Sequence, residues 1–169
     1  MRIWHLVGGL WLTVAAVLSL YLTITALRFG WLIRRHRPVT NSDVLNLLED
    51  CKQSMGVRTP ISMVETSMVK CPALFGFTRP RLLLPKGLLE AFSLAELRYV
   101  LLHELAHLKR GDIPLNWLCI LPLVLHWFNP LVWYAFWRMR ADAEVACDDL
   151  VLSCTKTPEN KTYGETIIK

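Results

Sequence analysis

Polar and apolar residues fall into blocks of different period along this chain, and each block predicts its own element. From Ile3 to Leu27 there is no Asp, Glu, Lys or Arg. At about 1.5 Å per residue, a helix of that length exceeds the roughly 30 Å hydrocarbon core of a bilayer. Trp4, Trp11, Tyr21 and Trp31 supply interface anchors near its ends. The soluble alternative is a buried core helix.

Beyond Pro38 the pattern changes. "NSDVLNLLEDCKQSMG" opens on capping residues, carries Val44, Leu47, Leu48 and Cys51 at helical spacing and stops at Gly56. Between Pro60 and Pro85, the short segments "ISMVE", "ALFGF" and "RLLLP" alternate with turn residues and predict a small sheet. "SLAELRYVLLHELAHLKRGD" then returns to the helical period. Ser93 and Glu96 form a capping-box pair at its start, and Gly111 follows basic residues at its end. The run Ile113–Trp137 is apolar but interrupted by Pro114, Pro122 and Pro130. Proline breaks a straight helix, so "WFNP" predicts a reversal and the run reads as a helical hairpin, residues 113–137. The hairpin either dips into the bilayer, packs along its surface with its tryptophans at headgroup level, or is buried in a soluble core. "RMRADAEVACDDLVL" continues as helix.

Composition refines this organisation. The chain has 169 residues, 53% of them hydrophobic, and a formal charge of +5. The cationic cluster Arg34, Arg35, His36, Arg37 directly follows the long apolar run. The charge therefore reads as a membrane flank, and the positive-inside rule puts the chain beyond it in the cytoplasm. A cleaved leader would carry its charge in front. No basic groove with interleaved aromatics is present, so direct nucleic-acid binding is not expected. Five cysteines (51, 71, 119, 147 and 154) without CxxC spacing suit reduced thiols. Cys147, three residues after a candidate ligand, faces a metal or fills a core position.

"HELAH" carries the chemistry. His103 and His107 are four apart on a helix and share a face, so both imidazoles reach one ion. Glu104 lies beside that face as a base for a water molecule. Zinc suits such a set because it accepts imidazole and carboxylate and brings its water's pKa towards neutrality. A catalytic zinc needs a third protein ligand. Downstream, Glu144 offers one, or instead pairs with Arg140 four residues earlier. Asp148, one turn further, is placed to accept a hydrogen bond from a ligating imidazole. Asp142 and Asp149 read as solvated, and His126 as a packing residue. A metal site spanning His107 and Glu144 also forbids a single membrane crossing between them.

Taken together, "CPALFGFTRPRLLLP", "ELRYVLLHELAHLKRGD" and "FNPLVWYAFWRMRADAEVACDDLVL" resemble the peptidase domain of the BlaR/MecR-type membrane metallopeptidases, relatives of the HtpX-like gluzincins. The resemblance covers roughly Pro60 to Leu152. It implies an α+β, zincin-like fold, mostly helical with a small sheet, preceded by one transmembrane helix. Residues 1–37 would form that helix with its basic flank, and 38–169 the metallopeptidase domain. It further implies zinc on His103, His107 and Glu144, with Glu104 as general base. The function implied is that of an endopeptidase at the inner membrane, facing the cytoplasm and cleaving a cytoplasmic protein such as a transcriptional repressor. Membrane lipid is an expected partner, and a homodimer is left open.

The sequence leaves several choices open. "ALFGF" or "RLLLP" supplies the edge strand for a substrate peptide. Tyr163, Tyr134, Arg140 and the zinc itself are candidates for stabilising the oxyanion. "SMVK", Ser67–Lys70, matches an SxxK pattern but lacks its partner motifs and is set aside as chance. No sensor domain is recognisable, and "YGETIIK" stops partway into a helical pattern. Two rival readings are a zinc-stabilised scaffold that signals by binding a partner and an intramembrane protease. Glu104 argues against the first, because a structural zinc needs no base. The charged "HLKRGD" argues against the second.

Overall fold

A computed structural model describes residues 2–154. Tyr163 and the "YGETIIK" pattern lie outside the described residues. Helix α1, Arg2–Arg35, is long and apolar enough to cross a membrane, and its most apolar window is only 6% buried. Helix α2, Ser42–Met55, begins where the Asn41 side chain accepts the N–H groups of Asp43 and Val44. It ends at Gly56, whose φ of 69° is the left-handed conformation that glycine adopts without Cβ strain.

Three short strands come next: β1 Ser62–Thr66, β2 Ala73–Phe75 and β3 Arg81–Pro85. Their order is β1-β3-β2, with β1 parallel and β2 antiparallel to β3. "RLLLP" is therefore the central strand, paired on both sides. It cannot offer the free edge that the sequence left open between two candidates; β2 can.

The two faces of the sheet have different neighbours, as the period of two requires. Met63, Leu82 and Leu84 face a core built with Val44, Leu48 and Cys51 of α2. Val64 and Leu83 point the other way, onto Ile33 from the end of α1, with Phe29, Val69 and Phe75 around them. Phe29 and Phe75 meet edge to face at 4.9 Å. Arg81 Nη1 donates to the Ile33 carbonyl at 3.3 Å, satisfying one of the acceptors a helix end leaves free. The last turns of α1 thus pack on the sheet. A Cβ at Gly30 would stand 3.4 Å from the Phe75 ring, an ordinary contact, so alanine fits there while a larger side chain would press on the ring. Gly30→Leu is expected to cost about 1–3 kcal/mol through overpacking, whereas Gly30→Ala costs less than about 1. Thermal unfolding in detergent would check both.

After a single turn, α3 Leu88–Ala91, comes α4, Leu94–Arg110. Its Ser93–Glu96 capping box is complete, and Gly111 closes it at φ 76°. Leu97, Leu101, Leu102, Leu105 and Ala106 are buried and fix the roll of α4 against α2 and the sheet. Helix α5, Asp112–Leu125, and helix α6, Pro130–Cys154, form the hairpin. Asn129 caps α6 through its Oδ1 and the Leu131 N–H. The described residues are mostly helical with one small sheet.

Candidate metal centre

The buried leucines of α4 turn the opposite face of that helix toward α6, which brings the two halves of the motif together. His103 Nε2 and His107 Nε2 lie 3.4 and 3.6 Å from one atom, Glu144 Oε2. The three side chains offer ligand atoms within 4.8 Å of one another. The imidazoles stand nearly perpendicular, 5.0 Å apart between centroids. Glu144 faces the histidines, and Arg140 forms no ion pair with it; the helix-face salt bridge left open by spacing is not made.

Each imidazole is held from behind by a carboxylate. His103 Nδ1 lies 3.1 Å from Asp148 Oδ1, and His107 Nδ1 lies 2.9 Å from Asp112 Oδ2. An Nδ1–H that donates to carboxylate fixes the neutral tautomer whose Nε2 carries the lone pair. Two lone pairs and a carboxylate oxygen then converge with no donor between them, an arrangement that repels itself unless a cation or proton joins it. Separations of 3.4–3.6 Å also exceed good hydrogen-bond lengths. They lie near the roughly 3.3 Å edge of a tetrahedron with metal–ligand bonds of about 2.0–2.1 Å. The donor set fits zinc.

Glu104, beside His103, is 9% exposed. Burial pushes its carboxyl up to about 7, with the Glu144 charge adding and His103 opposing. It opens onto a cleft of about 830 Å³ that also touches the two histidines and Glu144. Ala73 and Leu74 of the β2 edge line one side, and Leu88, Phe92 and Val100 give it an apolar wall.

A family model, BlaR1 peptidase M56, matches residues 1–169. The chain belongs to that family. The protein named Regulatory protein BlaR1 from Bacillus licheniformis is 34% identical over 161 residues, 95% of this chain and 27% of its own length. A Methicillin resistance mecR1 protein from Staphylococcus aureus is 32% identical over 123 residues, 72% of this chain and 21% of its own. The chain thus spans about a quarter of the length of these M56 relatives.

Asp112 is the site residue that sequence reasoning missed. Gly111, in the left-handed conformation, turns the chain back over the end of α4 and delivers the next residue to His107. The signal was present: an acid directly after a helix-ending glycine, five residues beyond the second histidine. Cys147 is fully buried beside the same ring, its Sγ 3.2 Å from His107 Nδ1 and 3.4 Å from Asp112 Oδ2. Burial and the Asp112 carboxylate push its thiol up to about 12. His126 is exposed at the end of α5, so it is neither a core residue nor near the metal centre. Asp142 pairs with Arg138 on the outer face of α6.

The supporting carboxylates carry a prediction. Asp112→Asn and Asp148→Asn are each expected to weaken zinc binding about 10–100-fold, because an amide no longer favours the required tautomer. Competition against a zinc-chelating dye would measure it, and unchanged affinity in both variants would remove the role.

Proposed function

We propose that this M56 chain is the zinc endopeptidase portion of a membrane-bound, signal-transducing regulator, with a zincin-like active site facing the cytoplasm. The observation that carries the reading is the convergence of both Nε2 atoms on Glu144 Oε2 beside a buried carboxyl. His103, His107 and Glu144 would hold the metal, which supplies Lewis acidity to the cleft when bound. An extended substrate segment adds to the free edge of β2, whose Ala73 and Leu74 lie along the cleft. The β edge holds its backbone, so the scissile carbonyl is presented near Glu104. Glu104 takes a proton from the attacking water and returns it to the leaving amine nitrogen. Its low exposure keeps bulk water from competing for that proton.

The hairpin supports a site at the membrane face. Trp11 Nε1 donates to the Leu125 carbonyl at 2.7 Å, so the hairpin tip lies beside Trp11 of α1 while Phe29 packs on the sheet. Eighteen residues of helix separate those levels, about 27 Å. A hairpin whose tip stands that far along an apolar helix from the sheet, with Leu118, Leu121, Leu131 and Trp133 exposed, dips into the lipid and returns. Both halves of the site then stay on one side. Arg34, Arg35 and Arg37, directly after the apolar helix, support a cytoplasmic side by the positive-inside rule. The substrate class of this reading is a cytoplasmic protein such as a transcriptional repressor, as the family resemblance of the three motifs implies.

The test uses the full chain in lipid nanodiscs with an internally quenched peptide library. Cleavage that stops with 1,10-phenanthroline and returns with zinc is expected. A folded chain that binds no zinc would sink the reading. One that binds zinc and cleaves nothing would point to the partner-binding scaffold.

A further inference from the structure

Arg140 lines the cleft from α6, one turn before Glu144. Arg140, Glu144 and Asp148 recur every four residues and share a face of that helix. His103 meets Asp148 and His107 meets Glu144, so α4 and α6 run antiparallel here. The next turn of α6 therefore carries Arg140 past His107, beside the start of α5, where Asp112 and Asn116 also border the cleft. Its guanidinium makes no ion pair among the described residues. The neighbouring cations are committed differently: Arg138 to Asp142 and Arg110 to Asp112. Lys70 and Lys86 enter the cleft from the opposite, strand side.

Resting on the peptidase reading above, we propose that Arg140 is a catalytic residue that stabilises the negative oxygen formed when water adds to the scissile carbonyl. Tyr134, the other side-chain candidate among the described residues, stacks on Trp137 and does not line the cleft, whereas Arg140, itself exposed, borders it. Arginine suits the task because its charge is permanent and its planar fork presents several N–H donors. In the step, a water O–H bond breaks and its proton passes to Glu104 while the new C–O bond forms. The carbonyl π pair moves onto oxygen, where Arg140 donates hydrogen bonds. The oxygen then reforms the carbonyl as the C–N bond breaks, and the proton leaves Glu104 for the amine. Arg140 stays protonated throughout.

The experiment compares wild type, Arg140→Met and Arg140→Lys as full, zinc-loaded chains in nanodiscs. Zinc content, kcat and KM are read on one quenched peptide, and affinity is read for a phosphinate peptide that imitates the tetrahedral centre. Expected for Arg140→Met are zinc unchanged, kcat down about 10²–10³-fold and KM within about threefold. Phosphinate affinity should fall in parallel, and Arg140→Lys should recover part of both losses. Unchanged kcat, a rise confined to KM, or lost zinc would each overturn the assignment while the peptidase reading stands. A zinc-loaded wild type that cleaves no peptide would overturn that reading, and this assignment with it.

Discussion

Glu104→Gln is expected to lower peptide cleavage by about 10²–10⁴-fold while one zinc per chain is retained. The amide has nearly the carboxylate's shape and cannot take a proton, so the variant removes the base and little else. Glu104 lies outside the cluster of ligand atoms formed by His103, His107 and Glu144, and metal content should not follow activity. A second consequence separates the proton chemistry from any general damage. In the metal-free protein the buried carboxyl titrates at about 7 against an unfolded value of 4.5. A folded pKa raised in this way means that the fold loses stability as pH rises from 4.5 through 7, because the unfolded chain releases its proton first. Glutamine has no such proton to lose. Stripped of metal, Glu104→Gln should equal wild type near pH 4 and exceed it at pH 8 by about 1–3 kcal/mol. Denaturant unfolding with a chelator present would measure the difference. A variant that still cleaved peptide at the wild-type rate would remove Glu104 from the mechanism.

What the sequence revealed and what it hid divide by range along the chain. The ends of α2 and α4 were legible because caps are local: Asn41, Gly56, Ser93, Glu96 and Gly111 act within a few residues of themselves. His103 and His107 were legible for the same reason, through a four-residue spacing. Strand order was not. The three strand segments carry similar hydrophobic patterns, and the pairing that puts β3 in the middle joins residues about twenty apart. The last turns of α1 were hidden by their own composition. Phe29, Gly30 and Ile33 read as the tail of a membrane helix, and only the packed structure reveals that they cover a face of the sheet. Asp112 fell between these cases. Its role depends on one left-handed glycine, yet an acid next to "KR" reads first as solvated charge. His126 is no ligand, and its ring does pack edge to face on Phe128, but an apolar neighbourhood does not imply burial: the hairpin leaves its tip exposed.

Glu144→Ala is the variant that locates the metal. His107 takes part in two groups able to hold an ion: one with His103 and Glu144, and one with Asp112 and Cys147. They use opposite nitrogens of the same ring, Nε2 toward Glu144 and Nδ1 toward Asp112 and Cys147. One imidazole cannot donate its Nδ1–H to Asp112 and also ligate through that atom, so the two groups compete. The first has two histidines and the cleft. In the second, the buried thiol keeps its proton up to about 12 and has Asp112 as an acceptor. Glu144→Ala should therefore cost more zinc affinity than the roughly 10–100-fold expected of the supporting aspartates, and Cys147→Ala should cost little. The Glu144 side chain is 54% exposed, so its removal leaves no core cavity. Metal-free stability should stay within about 0.5 kcal/mol of wild type, as for other surface changes. Loss of metal would then report coordination rather than unfolding. If Cys147→Ala instead released the zinc and Glu144→Ala kept it, the ion would sit behind His107, on the Nδ1 side with Asp112 and Cys147, on the far side of the ring from Glu144. The metal and Glu104 would then no longer share the face of α4 that meets Glu144.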